Sequence, residues 1–520
     1  MMSIIMLILG KIKFRKRNLI LNTKMKNMKV AFHDKRFSII ALLLVFLHFT
    51  IKVIYLDKND LAGDEPFSVY HAQMNISSII ELLSTGNNPP LYEIILHIWI
   101  KLFGINEYSV RFLSLLFSSI TAMYIFLIGR KFLNIHIAFY AVILFISSNY
   151  HTYFAQEARV YALFGLLCTM SMYHFLKLLS NYQASKHKNI YIVFKRSIPL
   201  ILINTALIYA HYFGFFILIT QLVFSFVNLQ LIKARWKSLL IIGLGILILY
   251  IPNIVVIFQR ISDTVDTGTW LTAPNGIHAL YDMVRKFSNA PVVATFVLLT
   301  FAAALVKIIF LKKTKLPLPH QLICFWFVLI FFSMFILSYW YPMFLDRYLM
   351  PASIAFYLLL AICIDFIIQK SRIKFVIPLI ICGLFIFTAK PFISNKRAVK
   401  QTVNYIIENK NSNTQVYIAP KNFSLTFAYH FDRNIFSYFD SDGSYKSIEA
   451  ALQQANIFTV NNAREIQINN TEELIFLDAA VDLIYPKNNI KETLDTNFNL
   501  ENKQHFHEIF DLYIYKSNSR

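Results

Sequence analysis

The sequence is poor in charged residues. Only 15% of its 520 residues are Asp, Glu, Lys or Arg, whereas 57% are apolar. Soluble globular domains carry about 25% charged residues. This composition excludes an ordinary soluble protein, and it predicts a protein that crosses a membrane many times.

Several familiar motifs are also missing. The four cysteines all fall in apolar runs and form no Cys-x-x-Cys pair, so we interpret them as small hydrophobic residues. The sequence contains no Gly-rich phosphate loop and no internal repeat. No small-residue cleavage site follows the first apolar run, so no signal peptide is predicted. These absences argue against a nucleotide site and against a repeat protein.

The net charge of +21 has a positional pattern. Ten Lys or Arg residues lie within residues 1–37, against one acidic residue, and most other basic clusters are short loops between apolar runs. Positive charge in short loops marks the cytoplasmic side of membrane proteins. The predicted partner is therefore the anionic surface of a lipid bilayer rather than a nucleic acid.

Runs of about 17–25 mainly apolar residues predict about eleven transmembrane helices. Basic loops alternate with loops that carry carboxylates at each crossing, which supports this count and places the N-terminus in the cytoplasm. The predicted spans are 38–56, 108–129, 135–153, 160–179, 191–210, 212–232, 238–258, 291–311, 320–340, 350–369 and 374–389. The first outer loop, 57–107, contains two shorter helical patterns at 66–83 and 90–103, predicted to lie along the membrane surface.

Beyond residue 390 the chain becomes more polar and its apolar runs shorten. The patterns there predict strands at 415–419, 434–439, 474–478 and 509–515, and a helix at 445–456. The predicted organisation is a basic cytoplasmic N-terminus at 1–37, a transmembrane domain at 38–390 and a small α/β domain at 391–520. By the parity of the crossings, this last domain is extracytoplasmic, periplasmic in a cell with an outer membrane.

Four separate loops bring polar residues to the non-cytoplasmic side. The residues concerned are Asp64 and Glu65, then Glu157, Arg159 and Tyr161, then His211, and finally Arg347 and Tyr348. Carboxylates at a membrane edge suit a general base that deprotonates a hydroxyl group. Arginine suits a phosphate, which it binds through a planar fork of donors. Together they indicate transfer of a group from a lipid phosphate to a hydroxyl acceptor.

Each of these residues has a simpler structural interpretation. Asp64 could cap the helix that follows it, and Glu157 could form a surface pair with Arg159. His211 could be an interfacial anchor, and Arg347 could extend its side chain along the membrane surface. The arrival of all four loops at one face of the membrane favours a functional site over four unrelated contacts.

The sequence also resembles a known family. The ordered motifs GDEPFSVYHAQ, NNPPLYEIILHIWIKLFGINEYSVRFLS, QEARVYAL, HYFG and DRYLMP resemble the GT-C glycosyltransferases of the dolichyl-phosphate-mannose–protein mannosyltransferase superfamily. Within it, the similarity points to the bacterial aminoarabinose-transferase-like branch. The resemblance extends over residues 60–390. It implies a GT-C fold, a polyprenyl-phosphate sugar donor and inverting transfer of a hexosyl or pentosyl group at the outer face of the cytoplasmic (inner) membrane. The implied acceptor is a hydroxyl of an envelope glycan, lipid A or a protein.

The resemblance also assigns roles to individual residues. It implies Asp64 as the catalytic carboxylate with Glu65 beside it, Glu157 as the acidic residue of the second outer loop, and Arg159 and Arg347 as ligands of the lipid phosphate. The remaining candidates for the donor or acceptor pocket are Tyr161, His211, Tyr348 and Glu93, and His211 is also considered as a metal contact.

One departure concerns a metal ion. Several relatives carry an acidic residue directly before the Pro pair, whereas Asn87 and Asn88 precede it here, with Glu93 one helical turn later. A divalent metal ion is therefore left open.

The alternative function is a flippase or transporter of lipid-linked sugars. Transporters place charged groups near the middle of the bilayer and often contain inverted repeats, and the sequence shows neither feature clearly.

Overall fold

The computed structural model describes residues 35–86, 88–180, 190–267, 271–310, 316–368, 376–438, 440, 445–467, 472–506 and 510–517. Nearly all of the predicted basic N-terminus lies outside the described residues, as does Asn87. The contacts divide the chain into two compact units, Met1–Leu43 and Leu44–Arg520. All the contacts discussed below lie within the second unit.

Within the described residues, seven helices are long and apolar enough to cross a membrane. They are Glu107–Phe132, Tyr161–Ser180, Ile190–Ala210, Leu229–Asp263, Pro291–Phe310, Leu318–Leu337 and Asp346–Ile368. Four apolar helices are shorter: Ile39–Val53, Ile135–Ile146, Tyr212–Val227 and Val376–Thr388. Each predicted span coincides with one of these helices. The multi-pass helical architecture is thus confirmed, and the exact number of crossings stays a prediction.

The predicted helical segments differ in detail from the observed ones. The third span is interrupted after Ile135–Ile146, because Ser148 accepts a hydrogen bond from the backbone of His151 and starts a second helix, Asn149–Ala155. The surface helix predicted at 66–83 is two helices, Glu65–His71 and Ile76–Ser84, because the Asn75 side chain caps the second one. The helix predicted at 90–103 is confirmed as Leu91–Phe103, and its position along the membrane surface stays a prediction.

Three helices lie at the centre of the bundle. The most apolar stretch of Tyr161–Ser180 is 78% buried, whereas that of the peripheral helix Leu229–Asp263 is 11% buried. Glu107–Phe132 and Asp346–Ile368 are also mostly buried. The helices Glu107–Phe132 and Ile135–Ile146 approach closely at Gly129, where an added Cβ would lie 2.5 Å from the backbone of Ala138. Small residues permit such approaches between membrane helices.

The C-terminal part contains a five-stranded sheet with the order β2-β1-β3-β5-β4. The strands are β1 (Gln415–Ala419), β2 (Ile457–Thr459), β3 (Glu473–Asp478), β4 (Phe498–Phe506) and β5 (Phe510–Ser517). The strand β1 pairs in parallel with β2 and β3, while β5 is antiparallel to β3 and β4. The accompanying helices are Val399–Asn409, Ser424–Phe431, Arg433–Phe436, Lys446–Gln454 and Ile490–Asn497. Side chains from both the strands and the helices form the core of this α/β domain.

The predictions for the C-terminal part have mixed outcomes. The strands at 415–419 and 474–478 and the helix at 445–456 are confirmed. The strand predicted at 509–515 corresponds to β5, although residue 509 lies outside the described residues. The strand predicted at 434–439 is wrong. There the Asp432 side chain caps a short helix, Arg433–Phe436, and this local hydrogen bond outweighs the strand preference of the aromatic residues.

Candidate active site

Asp64 ends the loop that follows the apolar helix Ile39–Val53. Its carboxylate does not cap the helix Glu65–His71, although the residue occupies the capping position. The carboxylate oxygen Oδ2 instead lies 2.9 Å from Nη1 of Arg347 and 3.7 Å from Nη2 of Arg159. The side chain is 48% exposed, so a ligand has access to it. Helix capping is therefore not the role of the Asp64 side chain.

The two arginines come from the beginnings of two central helices. Arg159 precedes Tyr161–Ser180, and Arg347 lies in the 3₁₀ turn that leads into Met350–Ile368. Helix N-termini carry partial positive charge and unpaired N–H groups, which favour a nearby anion. The same end of the bundle thus combines two guanidinium groups with two helix N-termini.

The charge on Asp64 reflects two opposing effects. Burial disfavours the charged carboxylate, but the positive charges of Arg159, Arg347 and Arg397 outweigh burial and hold the Asp64 pKa below its usual value. Asp64 is therefore ionised at neutral pH.

Glu65 has a different environment from its neighbour. It is buried and forms a two-pronged ion pair with Arg111, with Nε–Oε1 and Nη2–Oε2 distances of 2.8 and 2.7 Å. Its Oε1 also accepts a hydrogen bond from the backbone N–H of Ala158 at 2.7 Å. The guanidinium group of Arg111 also donates to the carbonyl groups of three residues in the loop before Asp64, Leu56, Asn59 and Asp60. This ion pair joins the two loops that carry Asp64 and Arg159.

Glu157 is a second carboxylate close to this ion pair. Tyr153 donates a hydrogen bond to its Oε1 at 3.3 Å, and its buried Oε2 has no partner among the described residues. Burial raises the pKa of Glu157 to about 8, and the negative charge of Glu65 contributes to the shift. At neutral pH this carboxyl group is mostly protonated, so it can donate a hydrogen bond.

Arg159 connects to Glu93 through a serine. Its Nη1 donates to Ser68 Oγ at 2.7 Å, and Ser68 donates to Glu93 Oε1 at 3.0 Å. Burial raises the pKa of Glu93, whose other oxygen has no partner among the described residues. Arg159 is thus directed by Asp64 and Ser68, and the surface pair considered for Arg159 and Glu157 is not observed among the described ion pairs.

His211 lies in an aromatic pocket beside the arginines. Its ring stacks on Phe164 with centroids 4.6 Å apart, and Tyr348 and Tyr161 lie 5.7 and 6.1 Å away. Burial lowers the His211 pKa to about 3, assisted by Arg159 and Arg347, so the ring is neutral. Because Nδ1 accepts from the backbone N–H of Phe213, the proton lies on Nε2. This N–H is buried and unpaired within the described residues, so His211 is not an exposed membrane anchor.

The structure brings all nine candidate residues from the sequence into one region, with Glu93 at its periphery. Sequence reasoning missed the partners Arg111, Ser68 and Arg397. Arg111 carried a usable signal, because a lone arginine inside an apolar span indicates a buried partner. Among the described residues, no group of three His, Cys, Asp or Glu side chains could hold a metal ion.

The chain is similar in sequence to one protein family. Residues 87–256 match the family model described as dolichyl-phosphate-mannose-protein mannosyltransferase. A comparison with curated protein sequences gave no match.

Its fold is similar to those of several solved structures. The match to ArnT from Cupriavidus metallidurans in the apo state has a TM-score of 0.57 and 10% identity, and it covers 91% of this chain and 97% of that one. The structure of that protein bound to undecaprenyl phosphate matches equally well. AglB from Archaeoglobus fulgidus, in complex with an inhibitory peptide and a dolichol-phosphate, matches with a TM-score of 0.50 and 10% identity over 88% of this chain and 72% of that one.

The family match in residues 87–256 agrees with the resemblance drawn from the sequence motifs, and the fold match over most of the chain identifies a polytopic helical fold similar to that of ArnT, with a small C-terminal α/β domain.

Proposed function

We propose that this protein is an inverting glycosyltransferase that moves a sugar from a polyprenyl-phosphate donor to a hydroxyl acceptor. The observation that carries the proposal is one accessible, ionised carboxylate, Asp64, held between Arg159 and Arg347 at the N-termini of two central helices. This arrangement pairs a base with a phosphate site at one end of the bundle. The solved relatives bound to undecaprenyl phosphate and to a dolichol-phosphate support a lipid-linked donor.

The reaction assigned to the site is a single displacement. The acceptor oxygen attacks the anomeric carbon of the sugar, its proton passes to a carboxylate oxygen of Asp64, and the bond between the anomeric carbon and the phosphate oxygen breaks. The electron pair of that bond leaves with the polyprenyl phosphate, whose new charge Arg347 and Arg159 stabilise. Attack from the side opposite the leaving group inverts the anomeric configuration.

Arg159 and Arg347 link binding of the donor phosphate to the base strength of Asp64. In this structure they hold the Asp64 pKa below its usual value, which makes the carboxylate a weak base. A phosphate bound to the same guanidinium groups reduces their effect on Asp64, because its negative charge opposes theirs. The base therefore strengthens when the donor is bound.

Glu157, His211, Tyr161 and Tyr348 complete the proposed pocket. The protonated Glu157 and the Nε2–H of His211 are buried groups that can donate hydrogen bonds to the sugar or the acceptor. Glu65 acts on the reaction through position, because its ion pair with Arg111 fixes the loop that carries Asp64. The resemblance and the alternation of basic loops support a site at the outer face of the cytoplasmic membrane, with an envelope glycan, lipid A or a protein as acceptor.

The change Asp64→Asn tests the proposal, because it removes the base and keeps the size of the side chain. We expect transfer from a labelled polyprenyl-phosphate sugar in membranes to fall by at least about 10²–10⁴-fold. Asp57→Asn is the matched control, since Asp57 is an exposed residue of the same loop. Normal turnover by the Asp64 variant would refute the assignment. Movement of the labelled lipid across the membrane without sugar transfer would favour the transporter alternative.

A further inference from the structure

Arg397 is a cation that the proposed mechanism does not use. It follows the apolar helix Val376–Thr388, the last predicted span, and precedes the first helix of the C-terminal part, Val399–Asn409. Two asparagines tie this segment to the first outer loop. Asn59 donates to the carbonyl of Ile393 at 2.9 Å, and Asn395 donates to the carbonyl of Asp60 at 3.0 Å. The segment is therefore attached directly to the loop that ends in Asp64.

The guanidinium group of Arg397 lies against the backbone of Gly63. A Cβ added to Gly63 would lie 1.7 Å from Nη1 of Arg397, too close for any side chain to be accommodated without displacing the arginine. Gly63 also has a φ of +64°, which favours glycine independently. The glycine beside the catalytic carboxylate thus makes room for this particular side chain.

Arg397 is in place but not fully bonded. Its guanidinium group forms no hydrogen bond or ion pair with another side chain of the described residues, although its charge acts on Asp64. By contrast, Arg111 is neutralised by Glu65, and Arg159 and Arg347 share Asp64. Arg397 also lines a small cavity together with Glu157 and Tyr153. A partly accessible arginine with unused donors at an anion-handling site is suited to a ligand phosphate.

We propose that Arg397 is a further ligand of the donor's phosphate, contributed by the segment that leads into the C-terminal part. This inference rests on the proposed function and adds to it that the C-terminal part completes the phosphate site. The phosphate site would then combine three parts of the chain: the loop that ends in Asp64, the N-termini of the two central helices, and the segment that carries Arg397.

The test measures binding of radiolabelled undecaprenyl phosphate to the purified full-length protein in nanodiscs, with undecaprenol as the probe that lacks the phosphate. We expect Arg397→Gln to raise the Kd for undecaprenyl phosphate about ten- to a hundredfold, as for loss of a hydrogen bond to a charged group. Its affinity for undecaprenol is expected to stay unchanged. The control Lys400→Gln removes the same charge from an exposed side chain nearby and is expected to leave both affinities unchanged.

Gly63→Ala tests the same contact from the other side. It displaces the arginine, so it is expected to weaken phosphate binding in the native background and to have much less effect when Arg397 is already Gln. Gly276→Ala is its matched control, because Gly276 has a φ of +57°, close to that of Gly63, but no atom lies within 4 Å of an added Cβ. This pair separates backbone strain from displacement of Arg397.

The outcomes distinguish the two proposals. Equal affinity of the native protein for the phosphate and the alcohol would refute the lipid-phosphate donor itself. A native preference for the phosphate that Arg397→Gln leaves intact would overturn the role of Arg397 alone. If Arg397→Gln does not fold, Arg397→Lys decides, since it keeps the charge and loses the fork. A several-fold weaker affinity for the phosphate supports the inference, and native affinity contradicts it.

Discussion

Removing the charge of Glu65 is expected to lower the stability of the protein, whereas removing the charge of the adjacent Asp64 is expected to abolish sugar transfer. Glu65 and Arg111 form an ion pair in which the side chains are 4% and 1% exposed. Loss of one partner from a buried pair leaves the other charge uncompensated and costs about 3–5 kcal/mol. Glu65→Gln is therefore expected to destabilise the protein by about that amount, whereas Asp64→Asn removes a carboxylate that is half exposed.

The hydrogen bonds around Arg111 show which interactions the Glu65→Gln variant keeps. In the Glu65→Gln variant, Arg111 keeps its hydrogen bonds to the carbonyl groups of Leu56, Asn59 and Asp60, and the Gln oxygen can still accept from Ala158. The loss is therefore one of charge and of the hydrogen bond from Arg111 Nη2, because the Gln nitrogen cannot accept it. Replacing both partners, Glu65→Gln with Arg111→Met, removes the buried unpaired charge and is expected to restore part of the stability.

The assay follows thermal unfolding of the purified protein and sugar transfer in parallel. We expect Glu65→Gln to lower Tm by roughly 5–10 °C and to retain transfer within several-fold at temperatures well below its Tm. Asp64→Asn is expected to keep Tm within a few degrees and to lose transfer. A Glu65→Gln protein with native Tm and no transfer would refute this reasoning, and it would make Glu65 the catalytic carboxylate.

Two further predictions concern the groups around this pair. Burial raises the Glu157 pKa from 4.5 to about 8, so the folded protein binds more protons than the unfolded chain between these pH values, and stability from this group is lost as the pH rises from 4.5 to 8. Glu157→Gln is therefore expected to flatten the decline of Tm with pH over that range. Equal slopes of Tm against pH in the native and variant proteins would contradict the raised pKa. Ser68→Ala removes the hydroxyl between Arg159 and Glu93 and is expected to lower sugar transfer about tenfold. Ser77→Ala, at an exposed serine, is the control. Unchanged transfer by the Ser68 variant would show that Ser68 does not direct Arg159.

The sequence predicted the broad architecture because its signals are strong and local. Each predicted membrane span has a helix at its position, since about 20 consecutive apolar residues have few other stable arrangements. Finer features depended on single hydrogen bonds that hydropathy does not reveal. Ser148 interrupts the third span, Asn75 divides a surface helix, and Asp432 converts a predicted strand into a helical turn.

The candidate site shows the same division. Motif order predicted Asp64, Arg159 and Arg347, but no sequence pattern separated Asp64 from Glu65. Their different environments arise from Arg111, 46 positions away from Glu65. Arg397 was not predicted, because its contact with Gly63 depends on how the chain returns after the last span. Side chains that meet only through tertiary folding leave no periodic signal in the sequence.

The charge balance at the site predicts that, in the proposed reaction, the three arginines stabilise the leaving phosphate more than the bound donor. Arg159, Arg347 and Arg397 act on a single ionised carboxylate, Asp64, because burial keeps Glu157 mostly protonated and raises the Glu93 pKa. A donor phosphodiester carries one negative charge, and the polyprenyl phosphate that leaves gains a second as the bond to the sugar breaks. Interactions that strengthen as this charge develops lower the barrier, whereas those equal in both states do not. The excess of arginine over ionised carboxylate therefore acts on the bond-breaking step, and removing any one of the three arginines should reduce the rate of transfer more than it weakens donor binding.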